Sequence, residues 1–413
     1  MKQSTLLFFA LFFSLLTYAQ PDNRVTIGTI DTLQSTILHE KRKLLVHVPQ
    51  SSGSALYGQQ KYPVLYLLDG DAHFNSVVGM MQHLSRTNGN TLCPEMIVVG
   101  IANTNRTRDL TPTKTGDDPF LKQISGSVNA AVSGGGEAFL SFIEKELMPY
   151  IDAKYPTQPY KMLVGHSFGG LTAMNVLINH TRLFNTYVAI DPSLWWDDLN
   201  FLKATEKALS EKSFAGVNLY LAIANTMDEG MTVKKVVKDT TLRTRGMRAA
   251  LGLDRFIRSR RPAGLTYAGN YYDNDTHNSV PLIALYDAFR TIFKDYQLHV
   301  ENRDVLDSTV DLSAKFRLRY QKISKLYGYE VKPPEAEVNT YGYRFLQRKQ
   351  FAKAEGFFKL NLENYPGSFN VYDSYGDFFL AKGDKDKAVA QFEKALSIRE
   401  DARTREKLVK LKQ

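Results

Sequence analysis

One stretch decides the fold: Tyr160-Lys161-Met162-Leu163-Val164-Gly165-His166-Ser167-Phe168-Gly169-Gly170. Its first five residues predict a buried strand, and the residues from Leu171 onward predict a helix. The flanking glycines allow a tight turn, because glycine tolerates backbone angles that other residues avoid. A strand, a tight turn and a helix in succession expose a serine hydroxyl at the carboxyl edge of a sheet. The helix amino terminus beneath it favours developing negative charge. We therefore predict that Ser167 is a nucleophile; an ordinary turn serine is the alternative.

Outside this stretch, short β-branched runs alternate with amphipathic segments. This alternation is typical of an α/β fold in which helices flank a mostly parallel sheet. After an antiparallel entry between Val25 and Val48, buried strands are predicted at 62–68, 96–101, 160–164, 186–190, 217–224 and 265–267, and the clearest helices at 137–151 and 171–179. We expect one α/β domain over residues 20–330.

Residues 335–413 have a different, continuously helical pattern that repeats after 34 residues. The repeated pairs are Tyr341 and Tyr375, Gly342 and Gly376, Leu346 and Leu380, Ala354 and Ala388, Phe358 and Phe392, and Leu362 and Leu396. Period and residue types resemble the tetratricopeptide repeat; an unrelated pair of helical hairpins is the alternative. Two repeats and a closing helix, 401–412, are fewer than the three or so that stand alone. We expect this unit to dock on the α/β domain or on another chain, after a linker at 333–335.

The first twenty residues resemble a secretory leader. Lys2 precedes an apolar run from Leu6 to Leu16, and a small residue, Ala19, ends the segment. This layout predicts a signal peptide over residues 1–19, cleaved after Ala19. The alternative, a retained anchor, needs about 20 apolar residues. We expect a periplasmic or secreted protein with no membrane span.

Composition excludes several kinds of site. Of 413 residues, 43% are apolar and 23% charged, which argues against wholesale disorder. The single cysteine, Cys93, cannot form an intrachain disulfide, a cysteine zinc cage or an iron–sulfur cluster. The net charge of +9 allows an anionic partner, but no nucleic-acid-binding module is evident.

A nucleophilic serine needs a base, and in this kind of fold the acid and then the histidine follow the serine in the chain. Three histidines follow Ser167. His180 lies on the helix after the turn, and His299 falls in an amphipathic segment. His277 stands in a polar loop, 273–281, between a predicted strand and a helix, and is the predicted base.

Several carboxylates are candidates for the acid that orients the imidazole. Asp228 is the first choice and Glu229 the second, because both follow the strand at 217–224. Asp273 and Asp275 are better explained as loop caps. Asp191, directly after the strand at 186–190, is a further alternative.

An acyl-transfer site also needs hydrogen-bond donors for the oxyanion, worth about 2.7 to 4 kcal/mol each. One is expected to be the backbone N–H of Phe168, directly after the nucleophile. The other is expected from Gly70 or Asp71, in the loop after the strand at 62–68.

Five ordered blocks within residues 23–327 resemble the esterases of the esterase D and enterochelin esterase group, which are α/β-hydrolases. They are 66–70, 106–112, 165–170, 192–196 and 277–281. The resemblance implies ester hydrolysis, with Ser167 and His277 in the catalytic roles and no metal or organic cofactor. Members cleave siderophore lactones, feruloyl or acetyl esters on glycans and small thioesters, so a small-molecule or glycan-linked ester is the expected substrate. Some members lack a clear acid.

A basic segment lies between the predicted acid and His277. From Lys234 to Arg261 there are ten Lys or Arg and two Asp or Glu. One interpretation is a lid, with Arg255 and Arg258, that attracts an anionic ester; a solvated helix face is the other. Trp195 and Trp196 are predicted either to wall the substrate pocket or to pack in the core beneath this lid.

These features together predict an exported serine ester hydrolase with a short repeat tail. An acyltransferase with the same triad and a non-catalytic scaffold that binds partners through the tail are the alternatives.

Overall fold

The computed structural model describes residues 23–49, 60–116, 120–121 and 128–413. The predicted signal peptide and its cleavage site at Ala19 lie outside these residues. The described strands are β1 (Thr29–Ser35), β2 (Glu40–His47), β3 (Tyr62–Leu67), β4 (Ile97–Ile101), β5 (Thr157–His166), β6 (Thr186–Ile190), β7 (Val217–Ala224) and β8 (Leu265–Tyr272).

The described helices of the α/β part are α1 (Gly70–Ser85), α2 (Arg106–Asp109), α3 (Gly136–Phe142), α4 (Met148–Lys154), α5 (Phe168–Asn179), α6 (Asn200–Glu211), α7 (Val233–Lys238), α8 (Arg245–Arg260), α9 (Val280–Ile292), α10 (Asn302–Leu306) and α11 (Leu312–Tyr327). A π-helical turn, Ile143–Leu147, joins α3 to α4. The C-terminal helices are α12 (Glu335–Gln347), α13 (Phe351–Asn364), α14 (Phe369–Lys382), α15 (Lys385–Ile398) and α16 (Ala402–Lys412).

The strands form one sheet in the order β1-β2-β4-β3-β5-β6-β7-β8. β2 pairs antiparallel with β1 and β4, and every other pairing is parallel. This confirms the predicted mostly parallel sheet with an antiparallel entry. Every residue of β3, β4 and β6 is buried, as expected of strands covered on both faces. The carboxyl ends of β5, β6, β7 and β8 meet at one edge.

Helices cover both faces of the sheet. One core includes α3, α5, α6 and α8. The other includes α1, α9 and α11, and it continues without a break into α12, α13 and α14. The C-terminal helices therefore share a core with the α/β domain.

The 34-residue sequence period corresponds to a repeated packing contact. A Cβ on Gly342 would lie 2.7 Å from Phe358 Cε1, and a Cβ on Gly376 would lie 2.5 Å from Phe392 Cε1. Each glycine thus lets an aromatic ring of the following helix approach closely. Glu335 is the buried first residue of α12 and not a linker residue, because its carboxylate accepts hydrogen bonds from Ser368 and Asn370.

Polar contacts tie this unit to the preceding chain. Lys353 is buried and donates to the carbonyl of Val305 at 3.2 Å. Arg319 lies 3.5 Å from Glu337. The expected docking on the α/β domain therefore occurs within the chain, whereas docking on another protein remains a prediction. Across the described residues, no helix combines the length and apolar character needed to cross a bilayer.

Candidate active site

Ser167 occupies a strained turn between β5 and α5. Its backbone angles are φ 59° and ψ −116°, which few residues other than glycine adopt. A Cβ on Gly165 would lie 2.2 Å from the carbonyl oxygen of Gly169, and a Cβ on Gly170 would lie 2.9 Å from Pro192 Cα. Only glycine fits at these two positions, so the local sequence is what allows the sharp turn that raises the serine above the sheet edge.

His277 follows β8 and reaches back toward the turn. Its ring centroid lies 4.5 Å from that of His166, the residue directly before the serine. His277 Nδ1 lies 2.5 Å from Asp191 Oδ2. Because the carboxylate holds Nδ1–H, Nε2 is the nitrogen that can accept a proton.

Asp191 is itself held in place by the neighbouring strand. It directly follows β6, and its backbone N–H donates to the carbonyl of Ala222 at 2.8 Å. Its Oδ1 accepts the backbone N–H of Ala224 at 3.1 Å. The end of β7 therefore fixes one carboxylate oxygen and leaves the other for His277.

The structure corrects the expected carboxylate partner of His277. Asp228 and Glu229 are exposed on the loop after β7, and Asp228 forms an ion pair with Arg243. Asp228 is thus engaged by a surface arginine, whereas the imidazole of His277 is engaged by Asp191. The partner is Asp191, the last of the alternatives from the sequence.

Ser193 is a site neighbour that sequence reasoning did not single out. Its hydroxyl lies 3.5 Å from that of Ser167, and its backbone N–H donates to the carbonyl of Ser167 at 3.2 Å. Its position two residues after Asp191, within the block 192–196, is the signal that could have identified it.

The expected oxyanion donors lie at the starts of two helices. Phe168 is the first residue of α5, and Gly70 and Asp71 are the first two of α1. The first N–H groups of a helix have no partner within the helix. The two helix starts also pack together, since a Cβ on Gly169 would lie 3.3 Å from Asp69 Oδ2.

His166 is partly buried between His73 and His277. Burial, with a further effect of the nearby His277, lowers its pKa to about 4. His166 is therefore neutral at neutral pH, so it adds no positive charge next to the serine and His277.

Trp195 and Trp196 are both buried and belong to the core. Trp196 is 0% exposed, and its indole N–H is shared between the carbonyl and the hydroxyl of Thr113. Trp195 is 7% exposed, and its ring contacts Phe120 and Phe168. The core interpretation of this pair therefore holds.

Arg255 and Arg258 do not form a lid over the serine. The first turn of α8 lies at the site, where a Cβ on Gly246 would approach Trp195 to 3.3 Å. The helix then returns toward the opposite edge of the sheet, and at 1.5 Å per residue these arginines lie about 15 and 20 Å farther along than Arg245. Arg258 binds Asp254 and the carbonyl of Gly269. Arg255 is exposed, as the solvated-face interpretation expects.

In the part of the chain that the structure describes, no group of three or more His, Cys, Asp or Glu side chains could hold a metal ion.

A sequence model of the Esterase family, described as "Putative esterase", matches residues 35–248, just over half of the chain. The protein belongs to this esterase family. Among solved structures, an IroE-like serine hydrolase from Shewanella oneidensis is 31% identical; the match covers 81% of this chain and 99% of that one, with a TM-score of 0.68. An uncharacterised protein from Capnocytophaga ochracea is 19% identical, with a TM-score of 0.58 and 93% of this chain covered, a likeness of fold alone that extends into the C-terminal helices.

Two curated relatives of this esterase are siderophore esterases by name. Ferri-bacillibactin esterase BesA of Bacillus subtilis is 31% identical over 171 residues, 39% of this chain and 58% of the relative. Siderophore enterobactin esterase of Emericella nidulans is 27% identical over 198 residues, 45% of this chain and 64% of the relative. The matches thus span about three fifths of the relatives' length.

Proposed function

We propose that the protein is a serine ester hydrolase in which Ser167 is the nucleophile, His277 the general base and Asp191 the acid that orients the imidazole. The observation that carries this proposal is the contact of Asp191 with His277 Nδ1, on an imidazole whose ring lies 4.5 Å from that of His166, the residue directly before a serine held in a strained turn. A carboxylate at one imidazole nitrogen and a serine hydroxyl near the other is the arrangement that serine hydrolases use on several unrelated folds.

The chemistry follows from these positions. Ser167 Oγ attacks the ester carbonyl carbon while His277 Nε2 takes the hydroxyl proton. Asp191 stabilises the resulting imidazolium through Nδ1. The carbonyl oxygen, now negative, accepts hydrogen bonds from the N–H groups of Phe168 and of Gly70 or Asp71.

The tetrahedral intermediate formed by this attack then collapses, and the alcohol and the acid of the ester are released one after the other. The imidazolium gives its proton to the leaving alkoxide, and an acyl-serine remains. Water, deprotonated by the same His277, attacks that acyl group and regenerates Ser167. Each proton that leaves a nucleophile thus passes through one imidazole, which explains why its orientation by Asp191 matters.

For the substrate we propose an ester of a siderophore. The support is the names of the two curated relatives, which are esterases of siderophores. Export through the predicted signal peptide would place the enzyme where such compounds enter the cell. Short acyl esters and feruloylated glycans are the substrates against which this choice is to be tested.

The experiment compares wild-type protein with Ser167→Ala on p-nitrophenyl acetate, with Asp228→Asn as the matched control because that exposed carboxylate pairs with Arg243 and not with His277. We expect Ser167→Ala to abolish turnover with an unchanged melting temperature, and Asp228→Asn to retain it. Turnover by Ser167→Ala at the wild-type rate would refute the nucleophile. A screen of iron-chelator trilactones, feruloylated glycans and short acyl esters then ranks kcat/KM, and a preference for either of the latter two would overturn the siderophore assignment.

A further inference from the structure

The two proposed oxyanion donors come from segments that are far apart in the sequence. Phe168 begins α5 and Gly70 begins α1. An oxyanion hole works only if both N–H groups are already aimed at one point before the reaction. Something must therefore fix the α1 start relative to the α5 start.

Arg106, on the short helix α2, contacts both starts. Its Nε and Nη2 donate to the two carboxylate oxygens of Asp69 at 2.6 and 2.9 Å. Its Nη2 also lies 3.4 Å from the carbonyl oxygen of His166. Its guanidinium carbon lies 5.2 Å from the centre of the Phe168 ring. One side chain thus links the residue before Gly70 to the residues on either side of Ser167.

Asp69 needs such a partner because of its conformation and burial. It is 5% exposed, and its φ of 53° and ψ of 43° are left-handed, a conformation that costs a non-glycine residue free energy. A buried carboxylate also requires hydrogen bonds to offset its lost hydration. Arg106 supplies two of them, and Asn103 Nδ2 supplies a third at 2.7 Å.

We propose that Arg106 is a positioning residue that sets the oxyanion hole by clamping the Asp69–Gly70 turn to the turn that carries Ser167. This inference rests on the proposed function. Arg106 acts through Asp69 and the backbone of His166, and its charge is neutralised by Asp69, so no contact with substrate is required.

The geometry of the two hydrogen bonds to Asp69 explains why an arginine occupies position 106. Two parallel N–H groups meet two carboxylate oxygens, and the flat guanidinium can at the same time lie over an aromatic ring. A lysine would keep the charge but provide a single donor atom at the end of a flexible chain. Lysine should therefore restore the charge without restoring the geometry.

The same helix offers a matched control. Arg108 is 32% exposed against 36% for Arg106, and it also makes close ion pairs, to Asp109 at 2.7 Å and Glu40 at 2.8 Å. Those partners brace α2 against β2 and lie away from the two helix starts. Arg106→Lys and Arg108→Lys thus remove comparable ion pairs from one helix, and only the first touches the proposed clamp.

The experiment measures kcat and KM on p-nitrophenyl acetate and the inhibition constant of an aryl trifluoromethyl ketone, which adds to a serine and forms a negative oxygen. For Arg106→Lys we expect kcat to fall about tenfold to a hundredfold, below the loss of a whole donor, with KM within about threefold. The inhibition constant should rise by the same factor as kcat falls. Arg108→Lys should change all three by less than about twofold.

Any of several results would overturn the inference. One is a raised KM with unchanged kcat for Arg106→Lys, which indicates a substrate contact. A second is an equal loss in Arg108→Lys, which indicates general bracing of α2. A third is an unchanged inhibition constant. If Arg106→Lys does not fold, as judged by circular dichroism, Asp69→Asn removes the same clamp from the other side and the same expectations apply. An inactive wild-type protein would refute the proposed function itself, whereas an active wild type matched by Arg106→Lys refutes only the clamp.

Discussion

Replacing Asp191 by asparagine is the substitution that separates the structural assignment from the one made on sequence alone. The amide has the size of the carboxylate, and its oxygen can still accept the N–H of Ala224, as Asp191 Oδ1 does at 3.1 Å. The NH₂ group then faces His277 Nδ1, where Asp191 Oδ2 now lies at 2.5 Å. Because an amide NH₂ can only donate there, Nδ1 must be the acceptor, and the proton moves to Nε2.

The expected loss is large because this tautomer cannot act as a base. With Nε2 protonated and the lone pair of Nδ1 directed at the asparagine, Nε2 has no lone pair with which to take the Ser167 proton. The corresponding change in a serine protease lowers kcat by about 10⁴. Loss of a factor of 10³ to 10⁴ corresponds to about 4 to 5.5 kcal/mol in the activation free energy.

The assay is steady-state hydrolysis of p-nitrophenyl acetate, with the folded state checked by thermal unfolding. Asp228→Asn is the control and should retain kcat within about twofold, because Asp228 pairs with Arg243 on the surface. The reasoning is refuted if Asp191→Asn keeps more than a tenth of the wild-type kcat, or if Asp228→Asn loses as much activity as Asp191→Asn.

Three further predictions concern the turn, His166 and the C-terminal helices. Gly165→Ala should lower both melting temperature and kcat, because its Cβ would lie 2.2 Å from a backbone oxygen; a normal melting curve would contradict this. Burial lowers the pKa of His166 to about 4 in the folded protein. As the pH falls below 6.5, the unfolded chain therefore binds a proton that the folded protein does not, and the free energy of unfolding decreases until about pH 4. His166→Phe should remove this loss, which amounts to about 3 kcal/mol at most across that pH window. The free energy of unfolding is measured by urea denaturation at several pH values, and an unchanged dependence on pH in the variant would count against the prediction. Gly376→Ala should destabilise the C-terminal helices by about 1–3 kcal/mol through overpacking against Phe392, with kcat unchanged; a loss of kcat would show that these helices shape the site.

The sequence predicted the features that depend on local chemistry. Buried strands, the glycine-flanked turn at Ser167 and the 34-residue period all follow from nearest neighbours or from a repeat, and the structure shows each of them. The packing of Gly342 on Phe358 and of Gly376 on Phe392 follows directly from that repeat.

The carboxylate partner of His277 could not be chosen from the sequence, because the choice depends on where each loop goes after its strand ends. Asp228 and Asp191 both follow buried strands, so the pattern alone does not separate them. Their contacts differ: Asp228 pairs with Arg243 on the surface, while Asp191 accepts the backbone N–H of Ala224 and meets His277 Nδ1. A long-range contact of this kind leaves no periodic signal.

Charge clustering in the sequence likewise left two interpretations open. The excess of basic residues from Lys234 to Arg261 fitted either a lid or a solvated helix face, and the fold decides between them, because α8 is a crossover helix whose second half returns to the far edge of the sheet. The role proposed for Arg106 could not be predicted from the sequence, because it depends on two partners, Asp69 and His166, that only the fold brings together.

The central claim is that Ser167 is a nucleophile activated by His277, and covalent labelling tests it most directly. Wild-type protein is treated with a fluorophosphonate, digested and analysed by mass spectrometry, alongside His277→Ala. We predict one adduct per chain, located on Ser167, and labelling slowed by at least a hundredfold in His277→Ala. An adduct on another residue, or equal labelling rates in the two proteins, would contradict the account.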